Sequence, residues 1–165
     1  MNLRGTIVSN TGPIIALASI DQLEILRFIF DLVIVSELVN REIFQGGLTK
    51  AGVSAYRKAD WISIDSTTDT LDPLLQTVLD PGEAGTIQVA LRSKADHVLI
   101  DERKGRKIAR SIYGLNVVGT ARILVEAKHR GILLHVGDTL TKMRDAGYWI
   151  HEEIVAAAKK AAGET

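Results

Sequence analysis

Leu32-Val33-Ile34-Val35-Ser36-Glu37 is a run of four aliphatic residues that ends on a hydroxyl and an acid. Apolar character that is continuous, not alternating, belongs to a strand covered on both faces, as in a parallel sheet. Ser36 stands where it can cap a helix whose apolar stripe is Leu38, Val39, Ile43 and Phe44. The same alternation extends in both directions. Toward the N-terminus, Thr6-Ile7-Val8-Ser9 reads as a strand ending in the turn Asn10-Thr11-Gly12-Pro13. A short helix, Ile14 to Ala18, follows, and a second is expected around Leu23, Leu26, Arg27 and Phe30. Toward the C-terminus, Gly46 to Asp60 reads as loop and helix, and Trp61-Ile62-Ser63-Ile64 as a strand. Asp80-Pro81-Gly82-Glu83 opens a helix that runs to about Lys94. Val98-Leu99-Ile100 is a buried strand, Glu102 to Tyr113 a helix, Asn116-Val117-Val118 a last short strand and Thr120 to His129 a helix. The expected fold is therefore an α/β protein, a three-layer α/β/α sandwich with a central parallel sheet. No linker or low-complexity stretch divides residues 1–165, which read as a single domain. Two helical stretches, Thr139 to Ala146 and Glu152 to Ala162, make 138–165 a helical C-terminal extension, expected to pack on the sheet's periphery or to close a homodimer.

A hydrophobic fraction of 46 % with 24 % charged residues suits a globular chain of 165 residues. The absence of cysteine excludes disulfides, thiolate metal sites and a Cys nucleophile. The apolar runs fall well short of the roughly 18 residues that a membrane span needs. Met1 to Thr6 leads into a strand without the apolar core of a signal peptide, so a soluble, cytoplasmic protein is expected. Twenty basic residues balance twenty acidic ones. Proteins that coat duplex nucleic acid are usually basic overall, so any contact with phosphate here is local. No dinucleotide fingerprint and no G-x-x-x-x-G-K-[ST] loop is present, which argues against nucleotide enzymes of those kinds.

Open parallel sheets bind ligands beyond the carboxyl ends of their strands. The first strand delivers Asn10 there, and the strand Val98 to Ile100 delivers Asp101. Two further acids lie on apolar helical stripes, Glu42 beside Leu38 and Val39, and Glu83 in line with Ile87, Ala90 and Leu91. A carboxylate at the edge of a core is costly unless paired. Mg²⁺ or Mn²⁺ would pair with it, since hard cations take oxygen ligands and keep several waters. Such an ion activates water and stabilises charge in phosphodiester hydrolysis. Each position also has a plainer role: Glu83 as a helix-start residue, Asp101 as a cap of the following helix, Glu42 at a solvated rim, Asn10 in a turn. Arg103, Arg106, Lys107 and Arg110 make the helix after Asp101 basic, with seven basic and three acidic residues from Arg92 to Arg110. This is either an RNA-guiding face or a solvated one. His97, His129, His135 and His151 show no ligand spacing.

Five segments in order resemble the PIN domain: Val8 to Leu17, Val39 to Ile43, Leu79 to Ala84, Leu99 to Ala109, and Val118-Gly119-Thr120. The tail Met143 to Ile150 is also similar to one branch of that family, catalogued as nucleic-acid-binding proteins of unassigned function. The resemblance implies a metal-dependent RNA-cleaving enzyme, in many members the toxin of a toxin–antitoxin pair. By that resemblance Glu42, Glu83 and Asp101 are the catalytic acids, and together with Asn10 they hold Mg²⁺ or Mn²⁺. Single-stranded RNA would be the substrate and an antitoxin protein a partner. Asn10 departs from the Asp usual at that position and removes one negative charge. A second hypothesis is therefore a catalytically weakened PIN-like module that binds RNA or a protein. A third, a phosphohydrolase or receiver-like domain, would need an Asp nucleophile where Asn10 stands.

Overall fold

A computed structural model describes residues 2–46, 50–67 and 71–165. In chain order the first half holds β1 (Thr6–Ser9), α1 (Thr11–Ser19), α2 (Ile25–Ile29), β2 (Leu32–Ser36), α3 (Glu37–Gln45), α4 (Lys50–Lys58) and β3 (Ile62–Asp65). The second half holds α5 (Pro73–Val78), α6 (Pro81–Ser93), β4 (His97–Leu99), α7 (Arg103–Ser111), β5 (Val117–Val118), α8 (Thr120–His129), α9 (Val136–Asp145) and α10 (Glu152–Ala161). The strands form one sheet in the order β3-β2-β1-β4-β5, and every pair is parallel. This is the expected α/β/α sandwich.

Register explains why the strand sequences are apolar throughout. Ile7 pairs with Val33 and His97, and Val8 with Ile34 and Val98. Successive side chains point to opposite faces of a strand, so the core divides in two. Ile7, Val33, Val35, Leu99 and Val118 join one cluster, with residues of α1, α2, α8, α9 and α10. Val8, Ile34, Val98, Ile100 and Val117 join the other, beneath α5, α6 and α7. The edge strand β3 has one neighbour and leaves Ile64 exposed. Helix α3 packs against both α1 and α6, and Ser36 caps it by accepting the Val39 N–H at 3.1 Å.

Three expectations need correction. Asn10-Thr11-Gly12-Pro13 is the N-cap and first turn of α1, not a free turn. Proline fits there because the first helical N–H groups have no intrahelical acceptor. Helix α5 was not anticipated, although Asp72-Pro73 repeats the start signal of Asp80-Pro81 and Asp72 caps it through the Leu74 N–H at 2.8 Å. The C-terminal helices are not peripheral: Val136, Leu140, Met143, Ile150, Val155, Ala158 and Ala162 all belong to the larger core cluster. Residues 47–49 of the expected loop lie outside the described residues. Among the described residues no helix is long and apolar enough to cross a membrane.

Candidate functional site

The chain leaves β1 for β2 and β3 on one side, then returns to β4 and β5 on the other. Beyond the carboxyl ends of β1 and β4, where this reversal lies, an open sheet offers a crevice. The two strand ends are tied together by the Asn10 N–H, which donates to the Leu99 carbonyl at 3.0 Å. Four helices begin there: α1, α6, α7 and α8, with N-caps Asn10, Asp80, Glu102 and Gly119, all lining one cleft of about 1040 Å³. Helix N-termini carry partial positive charge, which favours carboxylates and phosphate in this cleft. Glu42, Glu83 and Asp101 line it as well.

Glu83 is the most unusual of the acids. It is only 7 % exposed, and its Oε2 is buried with no hydrogen-bond partner. Its backbone N–H donates to Asp80 Oδ1 at 2.9 Å, so Asp80 caps α6 as expected. Burial pushes the Glu83 carboxyl up to about 8, reinforced by hydrogen bonding to Asp80 and by the negative charges of Asp80 and Glu102, with Lys104 opposing. Gly105 makes room for it. A Cβ at that position would collide with Glu83 Oε2 and lie 3.1 Å from Ile100 Cγ2, so α7 crosses Glu83 only with glycine there.

Glu42 is half-buried and accepts the Thr11 hydroxyl at 2.6 Å, which places its carboxyl at the α1–α3–α6 junction and not on a solvated rim. Gly82 faces it: a Cβ there would lie 2.5 and 2.6 Å from the two Glu42 oxygens. Asp101 accepts the Thr120 N–H at 2.7 Å on Oδ1, while Oδ2 accepts the hydroxyls of Thr120 and Tyr148. It thus caps α8, whose N-cap Gly119 has no side chain, and not the helix that follows it in sequence. Asn10 sits at the N-cap of α1, yet its side chain makes no capping bond. The four residues singled out in sequence therefore meet in one cleft.

The sequence matches the family described as a PIN domain over residues 6–164. The chain belongs to the PIN domain family. No curated protein matches it, and no solved structure does. PIN domains are typically nucleases and generally use divalent metals.

In this PIN domain the basic helix divides. Arg103 and Arg106 both line the cleft, Arg103 exposed and Arg106 half-buried, donating from Nη1 to the Ile100 carbonyl at 2.8 Å. Burial lowers the Arg106 pKa, helped by Arg110 and opposed by Asp101. Lys107 and Arg110 are exposed but do not line the cleft. The sequence reading missed Asp80 as a cleft acid, because Asp-Pro reads as a helix start and nothing more. It also missed Thr11, Thr120 and Tyr148. Thr11 was read as turn, and Tyr148 reaches Asp101 across 47 residues, which no local pattern signals.

Among the described residues no three His, Asp or Glu side chains gather into a ready-made metal cage. The donor chemistry nevertheless fits a hard cation: carboxylates and an amide at one cleft, with a buried Glu83 oxygen that no protein group satisfies.

Proposed function

We propose that this PIN domain is a Mg²⁺- or Mn²⁺-dependent endoribonuclease that cleaves single-stranded RNA. The observation that carries the reading is Glu83, a buried carboxyl with an orphaned oxygen in a cleft shared with Glu42 and Asp101. Glu42, Glu83 and Asp101, with the amide oxygen of Asn10, would hold the cation. When bound, it would supply a nucleophilic water and stabilise charge on the phosphate. The chain's own groups do the rest. Thr120 and Tyr148 fix the position of the Asp101 carboxylate with three hydrogen bonds. Thr11 fixes Glu42 in the same way. The N-termini of α1, α6, α7 and α8 favour a phosphate in the cleft, and Arg103 adds a positive charge at its wall. A formal net charge of zero confines this attraction to the site. The toxin role that the resemblance implies would add a small antitoxin as partner. Growth arrest on expression, relieved by co-expressing that partner, tests this addition.

Specific observations also support a second reading, a weakened module that binds RNA or a protein without cutting. Asn10 is neutral, both Asp101 oxygens are engaged, and no closed cage stands ready among the described residues. Cleavage of single-stranded RNA in Mn²⁺ by wild type, Asn10→Asp and Asn10→Asp/Asp101→Asn separates the two. The endoribonuclease reading expects activity that rises in Asn10→Asp, through a restored ligand charge, and collapses in the double variant. Activity unmoved by Asp101→Asn places the chemistry elsewhere. Silence in all three without metal binding is the outcome for the binding module.

A further inference from the structure

Trp149 is 74 % exposed, although in the short connection between α9 and α10 it stands between half-buried Tyr148 and buried Ile150. Tyr148 points inward to Asp101, Ile150 is 7 % exposed in the core, and the indole between them faces out at the wall of the acidic cleft. The connection is held on both sides. The Tyr148 N–H donates to the Met143 carbonyl at 2.9 Å, and Arg144 donates to the Ile150 carbonyl from Nε at 3.0 Å and from Nη2 at 2.6 Å. Nη1 of Arg144 reaches Glu152 at 2.8 Å. The Arg144 guanidinium lies 5.6 Å from the Trp149 ring centroid and the His151 ring 6.2 Å away, edge to face. The ring is therefore placed by its surroundings without being covered by them.

We infer that Trp149 is a stacking platform for an unpaired nucleobase of single-stranded RNA whose backbone enters the cleft beside it, an inference that rests on the ribonuclease reading. An indole offers every base a flat face, and a cationic guanidinium against it strengthens the stack. A duplex has no free base to give, so the platform selects single strands. Phosphates attach the strand without regard to base, whereas the indole prefers purines, which stack over a larger area.

The test is binding of short fluorescein-labelled oligoadenylate, oligouridylate and an abasic strand of the same length, with chelator present so that nothing is cut. Wild type binds oligoadenylate more tightly than oligouridylate. Trp149→Ala weakens oligoadenylate binding roughly tenfold, Trp149→Phe keeps most of it, and the abasic strand binds all three proteins alike. The exposed ring leaves the melting temperature unchanged. Should Trp149→Ala melt lower, Trp149→Phe against Trp149→Leu replaces the comparison. Equal binding of oligoadenylate by wild type and Trp149→Ala overturns the platform and leaves the indole to a protein partner. If wild type still cleaves RNA in Mn²⁺, the ribonuclease reading survives that result. Wild type that neither binds nor cleaves RNA overturns both.

Discussion

Glu83 sets the pH behaviour of the site. Its carboxyl titrates near 8 in the folded protein against 4.5 as the ordinary value. The folded state therefore binds more protons between those values, and stability falls as pH rises through the window. The loss is on the order of a few kcal/mol, since each pH unit between the two values is worth about 1.4 kcal/mol. Glu83→Gln keeps the shape and removes the titration. Melts in chelator from pH 5 to pH 9 are expected to decline more steeply for wild type, with the variant the more stable at the alkaline end. Parallel curves would show that Glu83 is ionised in the fold. Gly82→Ala makes a complementary case at the neighbouring residue. Its Cβ would strike the Glu42 carboxyl oxygens, which end a movable side chain, while alanine suits a helix better than glycine. Melting should change by less than about 1 kcal/mol, while stabilisation by Mn²⁺ falls sharply because Glu42 is displaced. An unchanged Mn²⁺ response would detach Glu42 from the metal.

At the scale of elements, what could be read in the sequence is what rests on local physics. Continuous apolar runs gave β1, β2 and β4, and Ser36 and Asp80 marked the starts of α3 and α6 because caps satisfy nearby N–H groups. Asn10, Glu42, Glu83 and Asp101 stood out as acids or amides at strand ends and on apolar stripes. What could not be read depends on distant partners. Tyr148 meets Asp101 across 47 residues, where α9 has brought the chain back to the end of β4, and Glu164 is another such case. It accepts the N–H groups of Val136 at 2.6 Å and Gly137 at 2.8 Å and pairs with Lys128 at 2.8 Å, so the penultimate residue caps α9. Burial works against its charge, but Lys128 and the two N–H groups hold its pKa down at about 2. This stability is present above the ordinary value of 4.5 and is lost as pH falls toward 2. Glu164→Gln should cost roughly 0.5–2 kcal/mol at neutral pH, the worth of a cap, with the gap to wild type closing in acid. A gap of the same size at both ends would mean that packing, not charge, is what Glu164 supplies. Tyr148→Phe removes one donor from Asp101 and should cost about 1–3 kcal/mol. A null effect in thermal melts would show that Thr120 alone holds Asp101.

On the scale of the whole molecule, a parallel sheet turns its strand ends and four helix N-termini toward a single cleft, and acids from α3, α6 and the end of β4 enter it. Helix dipoles and the Thr and Tyr hydroxyls offset part of that negative charge, and the Glu83 proton offsets more. A divalent cation would do the rest, and by mass action would add roughly 2.7 kcal/mol at a hundredfold excess over its dissociation constant. The most direct test is calorimetric titration of the metal-free protein with Mn²⁺ in buffers of different ionisation enthalpy, which counts ions bound and protons released together. The account predicts one or more ions per chain, with close to one proton released at pH 7 because Glu83 is protonated until the ion arrives. It also predicts that Glu83→Gln abolishes both the proton release and most of the affinity. Absence of binding, or binding that Glu83→Gln leaves unchanged, would contradict it.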